Sequence, residues 1–113
     1  RMNKPNFTPG PWHVESLRTN SFEVWSAPGP KLKEVAHIYR GSGRSKANAN
    51  LVAIAPTLYY ELERATEHLQ TLAMLALQSD RYQQDTKYRE AVNTGLRQVS
   101  TNLSVLVEAR GEE

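Results

Sequence analysis

The chain has 113 residues, no cysteine, 39% hydrophobic and 8% aromatic content, and a formal net charge of +2. That length supports a single domain with one modest core. Without thiols there is no disulfide framework, cysteine nucleophile or cysteine zinc site, and a reducing compartment is the expected setting. The longest apolar cluster, residues 72–77, is far shorter than the roughly 20 residues a membrane span needs. No basic-then-apolar leader opens the chain, and Arg1 ahead of Met2 reads as an added residue before a native initiator. A soluble protein that does not enter the membrane is expected. Its charge is uneven: residues 1–46 hold eight Lys or Arg against three Glu, whereas residues 47–113 hold six against nine acidic residues. The basic half could attract an anionic partner, but its charges are scattered rather than run together, and a solvated surface accounts for them equally well.

The first forty residues alternate in short apolar stretches separated by Pro and Gly. Thr8-Pro9-Gly10-Pro11 is a rigid entry, because proline fixes its own φ and Pro-Gly favours a turn. Trp12–Ser16 follows with the two-residue period of a half-buried strand, Trp12 and Val14 on one face, His13 and Glu15 on the other. Residues 18–20 turn the chain. Phe22–Ser26 repeats the pattern with Phe22 and Val24 opposite Glu23 and Trp25, and residues 27–30, with two prolines, turn it again. The third strand, residues 33–39, sets Ala36 and Ile38 against Val35, His37 and Tyr39. Residues 8–40 therefore read as an antiparallel three-stranded meander.

Beyond residue 45 the apolar period changes to three and four. Ser45 is the expected N-cap of a short helix over 46–54, within a segment 45–55, and Pro56 is expected to interrupt it. A longer helix over 56–78 then carries the stripe Leu58, Leu62, Ala65, Leu69, Leu72 and Ala76. Ser79-Asp80 breaks the chain, and a last helix over 85–109 carries Tyr88, Val92, Leu96, Val99, Leu103 and Leu106. Two such seams joined by a short connection predict an antiparallel hairpin over 56–109. The predicted fold class is α+β: a small N-terminal three-stranded antiparallel sheet, a short helix, and a long antiparallel helical hairpin. Met74, Leu75, Leu77, Val105 and Val107 fall off the seams and need the sheet or another subunit to cover them. Because so small a core gives a marginal monomer, a homo-oligomer is expected. Gly95 inside the last helix reads either as a point of close backbone approach or as a tolerated accident.

At this point three segments carry a resemblance. Thr8-Pro9-Gly10-Pro11-Trp12, Val35-Ala36-His37-Ile38-Tyr39, and residues 47–56, Ala-Asn-Ala-Asn-Leu-Val-Ala-Ile-Ala-Pro, resemble small proteins encoded by bacteriophages and prophages. Those open with a TPGPW segment and carry an NA-x-LIAAAP-x-LL segment after a short β region. The likeness spans residues 8–62, and departs from the pattern at Val52, Ile54 and the Tyr59-Tyr60 pair. It implies a phage infecting a bacterium as the setting, and the host cytoplasm as the place of action, without implying a reaction.

Candidate chemistry is sparse. His13, His37 and His68 are the only histidines, and none forms the i, i+4 pair of a zinc-protease helix, so no metal and no cofactor are expected. Glu61, Glu63, Glu67 and His68 share the long helix, where a solvated face paired with Arg64 explains them better than acid–base work. No serine sits in a Gly-x-Ser-x-Gly elbow, and no enzyme is expected. Two binding surfaces stand out. The Gly-rich turn at 41–46, with Arg40, Arg44 and Lys46, leads into a helix N-terminus that suits phosphate, though it lacks Walker A spacing and also reads as a plain connection. The outer sheet face, with His13, Trp25, Val35, His37 and Tyr39, suits stacking of a base or burial under a symmetry-related subunit.

These features leave three functional expectations. The first is a non-enzymatic accessory protein that binds a host protein, such as a component of antiviral defence, and inhibits or redirects it. The second is a nucleotide or nucleic-acid binder using the loop and the aromatic face. The third is a structural or assembly module acting through the hairpin.

Overall fold

A computed structural model of the protein describes residues 5–17, 21–26, 34–39 and 43–111. Six elements follow in order: β1 (Trp12–Ser16), β2 (Phe22–Ser26), β3 (Glu34–Ile38), α1 (Ser45–Leu77), α2 (Asp80–Gln84) and α3 (Thr86–Ala109). The chain comprises two compact units, Phe7–Tyr59 on one hand and Tyr60–Glu113 with Arg1–Asn6 on the other. The turns expected at 18–20 and 27–30 lie outside the described residues, as do Lys33, Arg40, Gly41 and Ser42.

In the Phe7–Tyr59 unit the sheet has the order β1-β2-β3, antiparallel throughout. Alternation sends Phe22 and Val24 inward, with Val24 fully buried, while Glu23 and Trp25 face outward and are only partly covered. The inner face packs on the first turns of α1: Phe22, Val24 and Ala49 form the buried centre, ringed by Trp12, Val14, Ala36, Ile38, Val52 and Ala53. Small residues on that side of α1 let the helix lie close to the sheet. The entry segment adds an aromatic latch. Phe7 meets Trp12 and Tyr59 edge-on, at centroid distances of 6.3 and 5.0 Å, and the Trp12 indole N–H donates to the Thr8 carbonyl at 3.1 Å. The Gly10–Pro11 peptide is cis.

Pro56 does not end a helix; it lies inside α1, which runs unbroken from Ser45 to Leu77. Its missing N–H deprives the Val52 carbonyl of a helical bond, a defect that in isolation costs about 3 kcal/mol. The ring is buried and seats against Gly10, where even a methyl group would come within 2.8 Å of Pro56 Cβ. This packing, which local propensity does not register, offsets the defect and keeps the turn helical. The expected cap is also displaced by one residue. The Arg44 carbonyl accepts from the Asn48 N–H at 2.9 Å, so Arg44 holds the cap position. The buried Ser45 hydroxyl instead donates to the Tyr39 carbonyl at 3.3 Å.

In the other unit the remainder of α1 and α3 form the antiparallel hairpin. Thr66 meets Asn102, and Leu69 lies beside Gly95, so the contacts descend one helix as they ascend the other. On α3 the expected stripe holds, with Val92, Val99 and Leu106 buried. On α1 the covered stripe is Thr66 and Ala73, which are buried, with Leu62, Leu69 and Ala76 half-buried beside them, so Thr66 and Ala73 replace the expected Ala65 and Leu72. The reason is polar satisfaction. The Thr66 hydroxyl donates to the Leu62 carbonyl at 2.7 Å and accepts from Asn102 Nδ2 at 3.1 Å, so a residue that reads as polar is buried without penalty.

Between the helices, Ser79 caps α2 by accepting from the Arg81 N–H. Asp85 caps α3 by accepting from the Tyr88 N–H at 3.2 Å. Arg89 donates to the carbonyls of Tyr82 and Gln83, and the Tyr82 hydroxyl donates to Asn93, which ties α2 to α3. At the far end Gly111, at φ +83°, supplies the left-handed residue that commonly closes a helix, and the Asn6 N–H donates to the Arg110 carbonyl at 3.0 Å.

Candidate functional site

The outer face of the sheet gathers the most chemistry. Cross-strand register places His13 opposite Trp25 and Glu15 opposite Glu23 between β1 and β2, and Glu23 opposite His37 between β2 and β3. Past that pair the register shifts at Val24 and Trp25, so that Trp25 faces Glu34 and Val35 becomes the extra residue of a bulge. In a regular strand Glu34 and His37, three residues apart, would point to opposite faces. The bulge brings both to the outer face, and Val35 packs against the core instead. Val35 was expected on the aromatic face; the register shift removes it and substitutes a carboxylate.

Glu23 sits at the centre of this group. Its Oε1 accepts from the Trp25 indole N–H at 3.1 Å, and its Oε2 lies 3.8 Å from His37 Nδ1. The His37 ring stacks on Tyr39 with centroids 4.3 Å apart and planes 26° from parallel. A hydrogen bond between the Glu23 and Glu34 carboxyl groups holds Glu23 below the usual carboxylate range, helped by the Trp25 N–H, and raises Glu34 above it. Beside them an open depression of about 330 Å³ is lined by His13, Glu15, Ser16, Leu17, Glu23 and Trp25, and His13 Nε2 lies 3.4 Å from Glu15.

Of the residues singled out in the sequence, Trp25, His37 and Tyr39 do share one surface. Arg44 and Lys46 are exposed on either side of buried Ser45 at the start of α1, and Arg40 lies outside the described residues. The surface is not simply aromatic. Glu15, Glu23 and Glu34 give it three carboxyl groups, which repel phosphate and suit a cation or a hydrogen-bond donor. Sequence inspection missed Glu23 and Glu34 because it sought ligand pairs at helical spacing. Pairing the strands residue by residue would have placed Glu23 beside His37, but nothing local announces the bulge that adds Glu34.

A second surface lies on the helical unit. The stripe buried in the hairpin leaves Leu72, Met74 and Leu75 outside it, 65%, 49% and 60% exposed. Leu72 and Leu75 continue the spacing of Ala65 and His68, also exposed, along one side of the helix. The sheet packs on Ala49, Val52 and Ala53. Nearby on α1, Glu61, Glu63 and Glu67 outnumber Arg64, which pairs with Glu61 at 3.1 Å. Among the described residues no helix is long and apolar enough to cross a membrane.

Neither the curated proteins nor the solved structures include a match to this chain. Residues 2–113 match the family described as Salmonella phage P22 protein Y8K6. The match takes in the sheet, its bulge and the helices alike, and the chain belongs to this phage protein family.

Proposed function

We propose that this phage protein works without catalysis, as an accessory protein in the host cytoplasm that binds a host protein and inhibits or redirects it, a component of antiviral defence being the leading class of target. The observation that carries this reading is the leucine surface of the helical unit, Leu72 and Leu75, left uncovered by the hairpin. A contiguous exposed apolar patch is costly to maintain in water and marks an interaction surface. Helix faces of this kind dock in apolar grooves, using anchors at i and i+3. The acidic residues Glu61, Glu63 and Glu67 on the same helix specify a groove with a basic rim, since opposite charges steer the encounter and like charges reject other surfaces.

The test is affinity capture from lysate of the host bacterium, comparing the natural chain with a Leu72→Glu, Leu75→Glu double variant whose helix content is checked by circular dichroism. The reading expects a specific host protein held by the natural chain and lost by the variant, with weaker capture at raised salt. Recovery of no specific protein counts against it. If sedimentation shows instead a dimer that the same variant dissolves, the surface belongs to a second copy and the protein is an assembly module.

A further inference from the structure

We propose that Glu23, Glu34 and His37 form a binding site for a divalent transition-metal ion on the outer face of the sheet. One donor atom from each residue lies within 4.8 Å of the other two, and the set of one imidazole and two carboxylates is of the kind that Zn²⁺ and Mn²⁺ accept. Neighbouring donors on a tetrahedral ion bonded at about 2.1 Å are about 3.4 Å apart. The exposed Glu34 side chain can close that difference by rotating.

Three further features distinguish this group from an ordinary acidic surface. The bulge between β2 and β3 is what brings Glu34 to the same face as His37, and a bulge commonly re-aims a side chain towards a site. The Trp25 N–H holds one oxygen of Glu23 and leaves the other directed at His37, while stacking on Tyr39 fixes the imidazole plane. Such outer contacts orient metal ligands in known sites. Finally, donor atoms of the Glu23 and Glu34 carboxyl groups lie within 4.8 Å of each other beside His37, a closeness of like charges that a divalent ion relieves. The imidazole selects a transition metal over Mg²⁺ or Ca²⁺, which favour all-oxygen sites. Bound there, the ion would cross-link β2 to the edge strand β3.

The proposal is tested by titrating the full-length, tag-free chain with ZnCl₂ in a calorimeter, and with CoCl₂ followed by visible absorption. One Zn²⁺ per chain is expected, with Co²⁺ giving the spectrum of a mixed nitrogen and oxygen site. Glu34→Gln, an exposed substitution that leaves the sheet intact, and His37→Gln should each weaken Zn²⁺ at least about tenfold, and Trp25→Phe should weaken it about tenfold through Glu23. His13→Gln and His68→Gln should leave affinity unchanged, and excess MgCl₂ should not compete. Absence of stoichiometric binding overturns the proposal, as does binding that survives both Glu34→Gln and His37→Gln. Should His37→Gln unfold the chain, Glu34→Gln together with Zn²⁺-induced shifts of the His37 ring nitrogens in NMR spectra decides the matter: shifts confined to another histidine also overturn it.

Discussion

The sheet and the helical hairpin present opposite chemistry to solvent. The sheet turns its apolar side chains inward, around Phe22, Val24 and Ala49, and displays carboxylates, imidazoles and an indole on its outer face. The Tyr60–Glu113 unit buries one stripe per helix and leaves leucines of a second stripe in water. Strands separate their faces by strict alternation, so one face can be given wholly to polar groups. A helix in a two-helix hairpin covers only about a third of its circumference, so a helix with apolar residues on two sides must expose one of them. The proposed ion site accordingly lies on the sheet and the proposed docking surface on the helix.

The strongest way to break this contrast is to attack each unit at the contact on which it depends most. Leu106, fully buried in the hairpin seam, should cost about 2–5 kcal/mol when changed to Ala, measured by urea unfolding followed by circular dichroism. A loss below about 1 kcal/mol would mean that the helices do not rely on that seam. In the sheet unit, Gly10→Ala drives a methyl to 2.8 Å from the rigid Pro56 ring, so a loss of about 1–3 kcal/mol is expected. Both tryptophans, Trp12 and Trp25, belong to this unit, and intrinsic fluorescence reports the loss.

Smaller effects sharpen the comparison further. Thr66→Val removes the acceptor that Asn102 uses across the hairpin and should cost about 1 kcal/mol. A double-mutant cycle with Asn102→Ala should show that most of this is shared between the pair. Gly95→Ala should stabilise the chain by roughly 0.5–1 kcal/mol in the same unfolding assay, because the added Cβ would sit 3.7 Å from Leu69 Cδ1, an ordinary contact. The smallest effect is local and depends on pH. The Tyr88 N–H, and to a lesser degree Arg81, hold the Asp85 carboxyl below its ordinary value of 3.8. A depressed carboxylate contributes stability that is complete above that ordinary value and is lost as pH falls through the lower folded one. The Tyr88 amide should accordingly exchange faster, and its NMR signal should move, only on the acid side of pH 3.8. Asp85→Asn, which keeps the cap but cannot ionise, should remove that pH dependence.

Much of the secondary structure was legible in the residues. Strict alternation locates β1 and β2, and the three-four spacing of Val92, Val99 and Leu106 locates the buried side of α3. Hydropathy misplaces the α1 stripe by one position at Thr66 and again at Ala73, because it ranks Leu72 above Ala73 and does not foresee a hydroxyl satisfied by Asn102 from the facing helix. Helix α2 escaped notice because a five-residue helix without buried residues has no apolar period to read. The site was half legible. Trp25, His37 and Tyr39 were placed on one face by alternation, while Glu23 lay in plain view on the same strand as Trp25 without a stated partner.

By itself, the order of residues determined an antiparallel sheet followed by paired helices, since period two and period 3.6 are local properties that a chain carries into any fold. Whether Pro56 would end a helix, which side of α1 would be buried, and whether Glu34 would join Glu23 and His37 were decided only in three dimensions. Each depends on a contact between residues distant in sequence or paired across strands: Gly10 with Pro56, Thr66 with Asn102, and Trp25 with Glu34. The energies of such contacts equal or exceed the local preferences they override, which is why tertiary structure settled them.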